Sequence, residues 1–253
     1  MPWVYEFSSK SKFSQEVNSH AFLLRCVPKE TEYQHVIKSG TIIPGCWRYF
    51  DQRDGFGNTL FWGEIIEPHN VFSVLSHGIV DYSEGAESVL NPVFRFPTRL
   101  TTCTPEMLDF ALRAKCSNDA ETVTNLAAKV RELISYTPGS TNIATSAQTA
   151  FENRCGVCQD ISHVLIACLR GVGIAARYVS GYVEGLTLSH AWTEAFYNGT
   201  WHGIDATENR TVSGGYIKIA DGRDASDCSL NRGVFSGGNI YENLEINISV
   251  KRI

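Results

Sequence analysis

Two regimes of hydrophobic patterning divide the chain. From Trp3 to about Ser88 the apolar positions fall in short alternating or β-rich runs: Val4 to Phe7, Ala21 to Val27, Thr41 to Ile43, Thr59 to Trp62 and Val71 to Leu75. Turn residues at Pro28, Pro44-Gly45, Asp54-Gly55, Gly57-Asn58 and Pro68 separate them. Short strands at this spacing predict an antiparallel sandwich. Asn91-Pro92 to Phe96-Pro97 reads as a linker, and beyond it the period lengthens to that of helices. Thr104-Pro105-Glu106 supplies an N-cap with Pro at the first helical position, ahead of Met107, Leu108, Ala111 and Leu112. Val123, Leu126, Ala127, Val130, Leu133 and Ile134 keep helical spacing behind Asn118-Asp119, with Pro138-Gly139 as a stop, and Ser146 to Phe151 predicts a short helix. Ile161, Leu165, Cys168 and Leu169 form one helical stripe counted from Cys158, closed by Gly171 and Gly173. Strand-like runs follow at Ala175 to Tyr182, Tyr216 to Ile219 and Leu244 to Val250. The expected architecture is α+β, with an N-terminal antiparallel β-sandwich domain over residues 1–92 and a second domain over 93–253, helices first and an antiparallel sheet after.

The stretch Gly156-Val157-Cys158-Gln159-Asp160 opens the last of these helices. A thiol in a first helical turn meets unpaired N–H groups and the positive end of the dipole, which favour the thiolate. A hairpin follows. Asn198-Gly199 is the preferred two-residue turn between Ser189 to Tyr197 and Thr200 to Asp205. That turn sets Tyr197 against Thr200, Phe196 against Trp201 and Trp192 against Asp205. Because strands have period two, His190, Trp192 and Asp205 share a face, with His190 and Asp205 diagonal neighbours. Spacing and turn chemistry thus predict a Cys158, His190, Asp205 triad, with Trp192 beside it as a candidate substrate contact. His202 points to the other face, and His163, rotated about 140° from Cys158 along the helix, reads as an ordinary surface or core histidine. Asp160 is explained by the helix dipole.

Composition narrows the partners. The 253 residues carry a net charge of −5, with a sequence pI near 5.8 and no Lys/Arg cluster, which argues against nucleic acid and anionic membrane. The longest apolar run, Val164 to Leu169, is far short of a membrane span. No export signal opens the chain, so a cytoplasmic location is expected. The eight cysteines are scattered, which predicts reduced thiols. Cys26, Cys46 and Cys168 read as small buried hydrophobes. His20, His35, His69 and His77 follow no metal-ligand spacing, so neither a metal nor another cofactor is expected.

Taken together, Gly156 to Asp160, Leu169 to Tyr182, His190-Ala191-Trp192-Thr193-Glu194, and Trp201 with Asp205 resemble the bacterial transglutaminase-like proteins, whose core is related to papain-like cysteine proteases. The resemblance spans most of the chain: Asp54-Gly55-Phe56-Gly57-Asn58 and the strands before it look like the family's N-terminal β region, and Gly222-Arg223-Asp224 with Asp227 like its C-terminal signature. It implies a papain-like catalytic domain with nucleophile Cys158, base His190 and orienter Asp205. Ala206 stands where the family usually has Pro, and the segment after Asp227 also lacks the usual Pro. The acidic calcium loops of the animal crosslinking enzymes are not part of the likeness, so no calcium requirement is implied.

The expected activity is cysteine-dependent hydrolysis of a peptide-like amide through a thioester, with a peptide or protein as partner. Other readings stay open: acyl transfer from a protein glutamine to an amine or to water, a non-catalytic binding module, or a redox dithiol, since Cys155-Gly156-Val157-Cys158 is also a C-x-x-C. A Cys155–Cys158 disulfide would be a regulatory side reaction. The oxyanion should meet the backbone N–H of Cys158 and a second donor, for which Gln148 and Asn153 are candidates. Arg223, Asp224 and Asp227 read as ties between a loop and the core.

Overall fold

The computed structural model describes residues 1–45, 48–83 and 87–253, so the expectation for Cys46 lies outside the described residues. Five strands come first: β1 (Trp3–Leu24), β2 (Gln34–Ile42), β3 (Tyr49–Arg53), β4 (Thr59–Ile65) and β5 (His69–Tyr82). After a short 3-10 helix (Pro92–Arg95) come α1 (Pro105–Ala114), α2 (Asp119–Leu133), β6 (Ser135–Tyr136), α3 (Ala147–Asn153), β7 (Cys155–Gly156) and α4 (Cys158–Gly171). The chain closes with β8 (Ala175–Val183), β9 (His190–Tyr197), β10 (Thr200–Asp205), β11 (Arg210–Thr211), β12 (Tyr216–Gly222), β13 (Asn231–Ser236) and β14 (Glu242–Arg252).

The N-terminal β unit is built on β1, which merges the two runs expected at Val4 to Phe7 and Ala21 to Val27 into one strand of 22 residues. The intervening serines hid it: Ser9 and Ser11 are buried in line with Tyr5, Phe7 and Phe13, so the alternation continues through small polar residues. Ser11 is satisfied by donating to Glu242 at 2.5 Å. The first half of β1 lies between β5 and β14, with β2 beyond β5; the second half lies between β4 and β13, with β3 beyond β4, all antiparallel. The irregularity between Lys12 and Ala21, where Ser19 takes φ 48°, turns the strand from one layer into the other. Tyr5, Phe7 and Val250 from one layer and Phe22, Leu24 and Ile65 from the other belong to one core, which is the expected sandwich. Residues after Asn231, assigned from sequence to the second unit, complete this first one instead, because β13 and β14 both pair with β1.

The second unit is α+β as expected. An antiparallel sheet in the order β11-β10-β9-β8-β12 carries α4 on one face. Every residue of α4 from Asp160 to Arg170 is buried, and α1, α2 and α3 surround it. The caps are those the sequence predicts: Thr104 accepts from Met107 N at 3.3 Å and Asn118 from Glu121 N at 2.9 Å. The stretch read as a linker is packed rather than free. Phe94 is buried, its carbonyl accepts from Arg170 Nε at 3.0 Å, and the same guanidinium reaches Thr101, Ala176 and Arg223.

Side chains of the β unit cap the edge of β12. Gln34 donates to the carbonyl of Lys218 at 2.8 Å and accepts from its N–H at 2.8 Å; Asn58 does the same at Asp221, at 2.8 and 2.9 Å. Two amides thereby replace part of a missing neighbour strand at Lys218 and Asp221. The loop Asp54 to Asn58 exists to hold Asn58, since the Asp54 carboxylate accepts from Phe56 N, Asn58 N and Asn58 Nδ2. Beside these amides a buried ion cluster ties the units together: Glu194 meets Arg177 and Lys218, each at 2.6 Å, and Asp221 meets Lys29 at 2.7 Å.

Candidate active site

Cys158 is the first residue of α4, placed by contacts on both sides. Asp160, at the third helical position, accepts from the N–H of Val157 at 2.8 Å, which closes the helix start. The same oxygen accepts from Thr141 Oγ1 at 2.6 Å, so the carboxylate also anchors the loop ahead of α3. This goes beyond the dipole argument for Asp160. Burial pushes its carboxyl up against those two hydrogen bonds. Gly156 is required here because a Cβ would sit 2.6 Å from that of Asp160. Upstream, β6 and β7 pair in parallel, Ser135 with Cys155 and Tyr136 with Gly156, and fix the approach to the thiol.

The hairpin carries the other two groups. Asn198 and Gly199 both have positive φ, 51° and 77°, as the primed turn demands. The register runs Thr200 with Tyr197, Trp201 with Phe196, His202 with Ala195, Gly203 with Glu194 and Ile204 with Thr193, which brings Asp205 level with Trp192. His190 Nε2 lies 2.7 Å from Asp205 Oδ2, with the imidazole buried. Cys158 lines the same cleft as His190, and its thiol is near enough to the ring to help raise the imidazole pKa, so the three side chains are brought together. Burial alone would lower the His190 pKa, but the hydrogen bonds and charges of Asp205 and Cys158 outweigh it and raise it to about 10. The imidazole is thereby held as imidazolium.

Asp205 is itself fully buried. Burial would raise its pKa, yet the carboxyl is held below the usual range by His190, by Tyr216, whose hydroxyl donates at 2.7 Å, and by the backbone of Glu208. The other oxygen accepts from the N–H groups of Thr207 at 2.9 Å and Glu208 at 3.2 Å. Arg210 Nε donates to the Tyr216 hydroxyl at 2.7 Å, extending the relay to the surface. Neither Tyr216 nor Arg210 was anticipated. The only signal in the sequence was an aromatic residue opening a strand, and its contact with Asp205 depends on how β12 meets the hairpin across β8.

Cys158 and His190 open into a cleft of about 1220 Å³ between the two units. The catalytic unit contributes Val157, Gln159, Tyr178 and Ser189, and the far wall comes from β1, β4, β13 and β14 of the β unit. Gln148 and Asn153, the sequence candidates for an oxyanion donor, do not line it, and Gln148 instead donates to Glu152 at 2.9 Å. Nor does Trp192, the candidate substrate contact. It is 1 % exposed and packs against Tyr216 at 5.4 Å, and a Cβ on Gly181 would meet its ring at 2.6 Å. Trp192 is a wall behind the triad, because its strand position faces β8 and β12 and not the groove.

The remaining residues singled out fall around this core. His163 is fully buried, with its pKa lowered to about 4 by burial, and accepts from Ala225 N at 3.1 Å. It holds the loop of Ala225 and Ser226, which lines the cleft. Arg223 binds Asp227 through its N–H and guanidinium, and Asp224 accepts from Ser226 N at 2.7 Å, so these residues tie that loop. His202 stacks on Tyr197 at 3.9 Å, away from Asp205. Cys155 and Cys158 are both free thiols. Among the described residues no group of three or more His, Cys, Asp or Glu side chains is placed to hold a metal, and no helix is long and apolar enough to cross a membrane.

The sequence matches the transglutaminase-like superfamily over residues 106–206 and the bacterial transglutaminase-like N-terminal region over residues 6–81. An uncharacterized protein of Mycobacterium leprae is 27 % identical over 99 % of this chain and 96 % of its own length. An uncharacterized protein of Mycobacterium bovis is 31 % identical over 78 % of this chain and 75 % of its own. Among solved structures, a candidate cysteine protease from Cytophaga hutchinsonii superposes with a TM-score of 0.83 at 26 % identity, covering 100 % of this chain and 92 % of that one.

Proposed function

The chain belongs to the transglutaminase-like superfamily, and from that premise we propose that it hydrolyses peptide-like amide bonds through a thioester formed on Cys158. A cysteine-dependent catalytic role is common ground for the family and for the Cytophaga hutchinsonii neighbour. The observation that carries the finer reading is the grouping at the cleft: Asp205 on Nε2 of His190 at 2.7 Å, Cys158 beside His190 in the same lining, and that thiol at the start of a buried helix.

In this reading His190 Nδ1 already carries the proton given up by Cys158, and the sulfur attacks the amide carbon. The developing oxyanion faces the N–H of Cys158, one of the first-turn donors that an α-helix leaves without an internal acceptor. As the C–N bond breaks, His190 Nδ1 gives its proton to the leaving amine, and the acyl group remains as a thioester. Water then enters, His190 takes one of its protons, and hydrolysis returns the thiol. Asp205 keeps the imidazole oriented and offsets its charge throughout. Hydrolysis is favoured over crosslinking to a lysine because, among the described residues, the lining carries Arg99 and Arg232 and no carboxylate that would receive a substrate ammonium. The test is incubation with a mixture of tryptic peptides, read by mass spectrometry as new termini. Cleavage should vanish in Cys158→Ala and His190→Ala, and cleavage that survives Cys158→Ala overturns the assignment.

A further inference from the structure

The β unit supplies one whole wall of the catalytic cleft, and that wall has its own chemistry. It offers apolar side chains from Phe22, Leu23, Trp62, Leu244 and Ile246, of which Trp62 is 43 % and Leu244 44 % exposed. Four consecutive residues of β13, Asn231 to Val234, also line the cleft. Among the described residues β13 pairs with β1 alone, Ala21 with Val234 and Leu23 with Arg232, so one edge of it carries no partner strand. Along such an edge every second residue turns its N–H and C=O outward, ready for an added strand. Charge selects further. The chain as a whole has 27 acidic against 22 basic residues, yet among the described residues of the lining, apart from His190, the charged ones are Arg99 and Arg232, with no Asp or Glu. Arg232 is exposed and held by donating to the carbonyl of Ser226 at 2.6 Å, which fixes its direction beside the loop that lines the cleft.

We infer that the cleft takes an extended peptide that adds as a strand to the free edge of β13, with alternate apolar residues against the β-unit wall and acidic residues against Arg232 and Arg99. This rests on the amidase reading for its purpose, since it names the substrate class of that site, but the binding stands on the wall alone. Main-chain pairing supplies affinity without sequence preference, and the side chains on alternate faces supply specificity. A basic segment would place ammonium groups against two guanidinium groups, with no carboxylate among the described residues of the lining to compensate.

Binding and chemistry are measured separately. In the Cys158→Ala protein, calorimetry compares an acetylated, amidated heptapeptide of alternating leucine and glutamate with its leucine–lysine counterpart. The acidic peptide is expected to bind about tenfold more tightly, the sum of two partly exposed charge pairs. Arg232→Glu should remove most of that preference, and Arg232→Glu with Arg99→Glu should reverse it. Should either charge reversal fail to fold, raising salt from about 0.05 to 0.5 M must bring the two affinities together. Equal affinities at low salt, or a preference that survives both substitutions, would overturn the inference. Iodoacetamide labelling of the wild-type protein decides the nucleophile independently: absence of labelling at Cys158 with selective acidic-peptide binding intact would sink the amidase and keep the docking surface.

Discussion

Asp205 is gripped by an imidazole, a phenol and two backbone N–H groups, and each grip has a separable consequence. Asp205→Asn keeps the volume but presents a donor where His190 needs an acceptor. In a serine triad the equivalent change costs about 10⁴ in kcat; here the start of α4 also favours the Cys158 thiolate, so the loss should be smaller, roughly ten- to a thousandfold, or about 1.4–4 kcal/mol. Stopped assays of kcat with a folding control by circular dichroism check it. Tyr216→Phe deletes one hydrogen bond to the carboxylate and leaves the imidazole contact, so kcat should fall only about two- to tenfold, a loss of roughly 0.5–1.5 kcal/mol, with KM unchanged. The Cys158, His190 and Asp205 grouping was legible in the sequence because a helix start and a two-residue turn each fix position within a few residues. Tyr216 was not, since it arrives through long-range pairing of β12 with β8, where it lies opposite Val183. Cys155→Ser, which leaves His190 and Asp205 in place, should retain activity; inactivation equal to that of Cys158→Ala would restore the dithiol reading.

At the level of elements, legibility followed how locally each is specified. The Asn198-Gly199 hairpin came out with its register, because two residues with positive φ dictate the pairing on either side. The caps of α1 and α2 did so for the same reason. β1 did not, because its middle alternates through Ser9 and Ser11, whose burial depends on β14 more than 200 residues away in the chain. The motif Asp54 to Asn58 was visible as a turn, but its task of closing the edge of β12 was not, since nothing local says that Asn58 faces Asp221. That task yields a prediction. Asn58→Ala would orphan the N–H and carbonyl of Asp221 in a fully buried place, at about 1–3 kcal/mol for each unsatisfied group. Urea denaturation should show a loss of roughly 2–4 kcal/mol, and a loss below about 0.5 kcal/mol would mean that water or a shifted neighbour takes over both groups.

Across the whole molecule the two units share a core and a charge cluster. Tyr182 of β8 stacks on Phe7 of β1 at 5.4 Å, and Ile217 and Ile219 of β12 join the same core. The buried charges give stability a pH dependence at both ends. Burial would raise the Asp221 pKa, but Arg177, Lys218 and Lys29 bring it down to about 2. A carboxyl lowered on folding stabilises above its unfolded value near 3.8 and loses that contribution as pH falls toward 2, on the order of 2 kcal/mol. His190 works in the opposite sense. Its folded value near 10 lies above the unfolded 6.5, so its contribution is complete below pH 6.5 and disappears as pH rises through 10. Midpoints of urea denaturation followed from pH 2 to 10 should show both limbs, with the acid limb weakened in Asp221→Asn and the alkaline limb in His190→Gln. Sequence patterning gave no sign that the last strands, β13 and β14, return to pair with β1, because that pairing joins the two ends of the chain.

The central claim is that Cys158 is the reactive thiol and that His190 makes it so. Its most direct test is the rate of iodoacetamide alkylation at each cysteine, resolved by peptide mass mapping at pH 7, with the half-buried thiols Cys103, Cys116 and Cys155 as internal references. Cys158 should label fastest in the wild-type protein and fall back to the reference rates in His190→Ala. Labelling of Cys158 no faster than of those three, or unchanged by the loss of His190, would contradict the account.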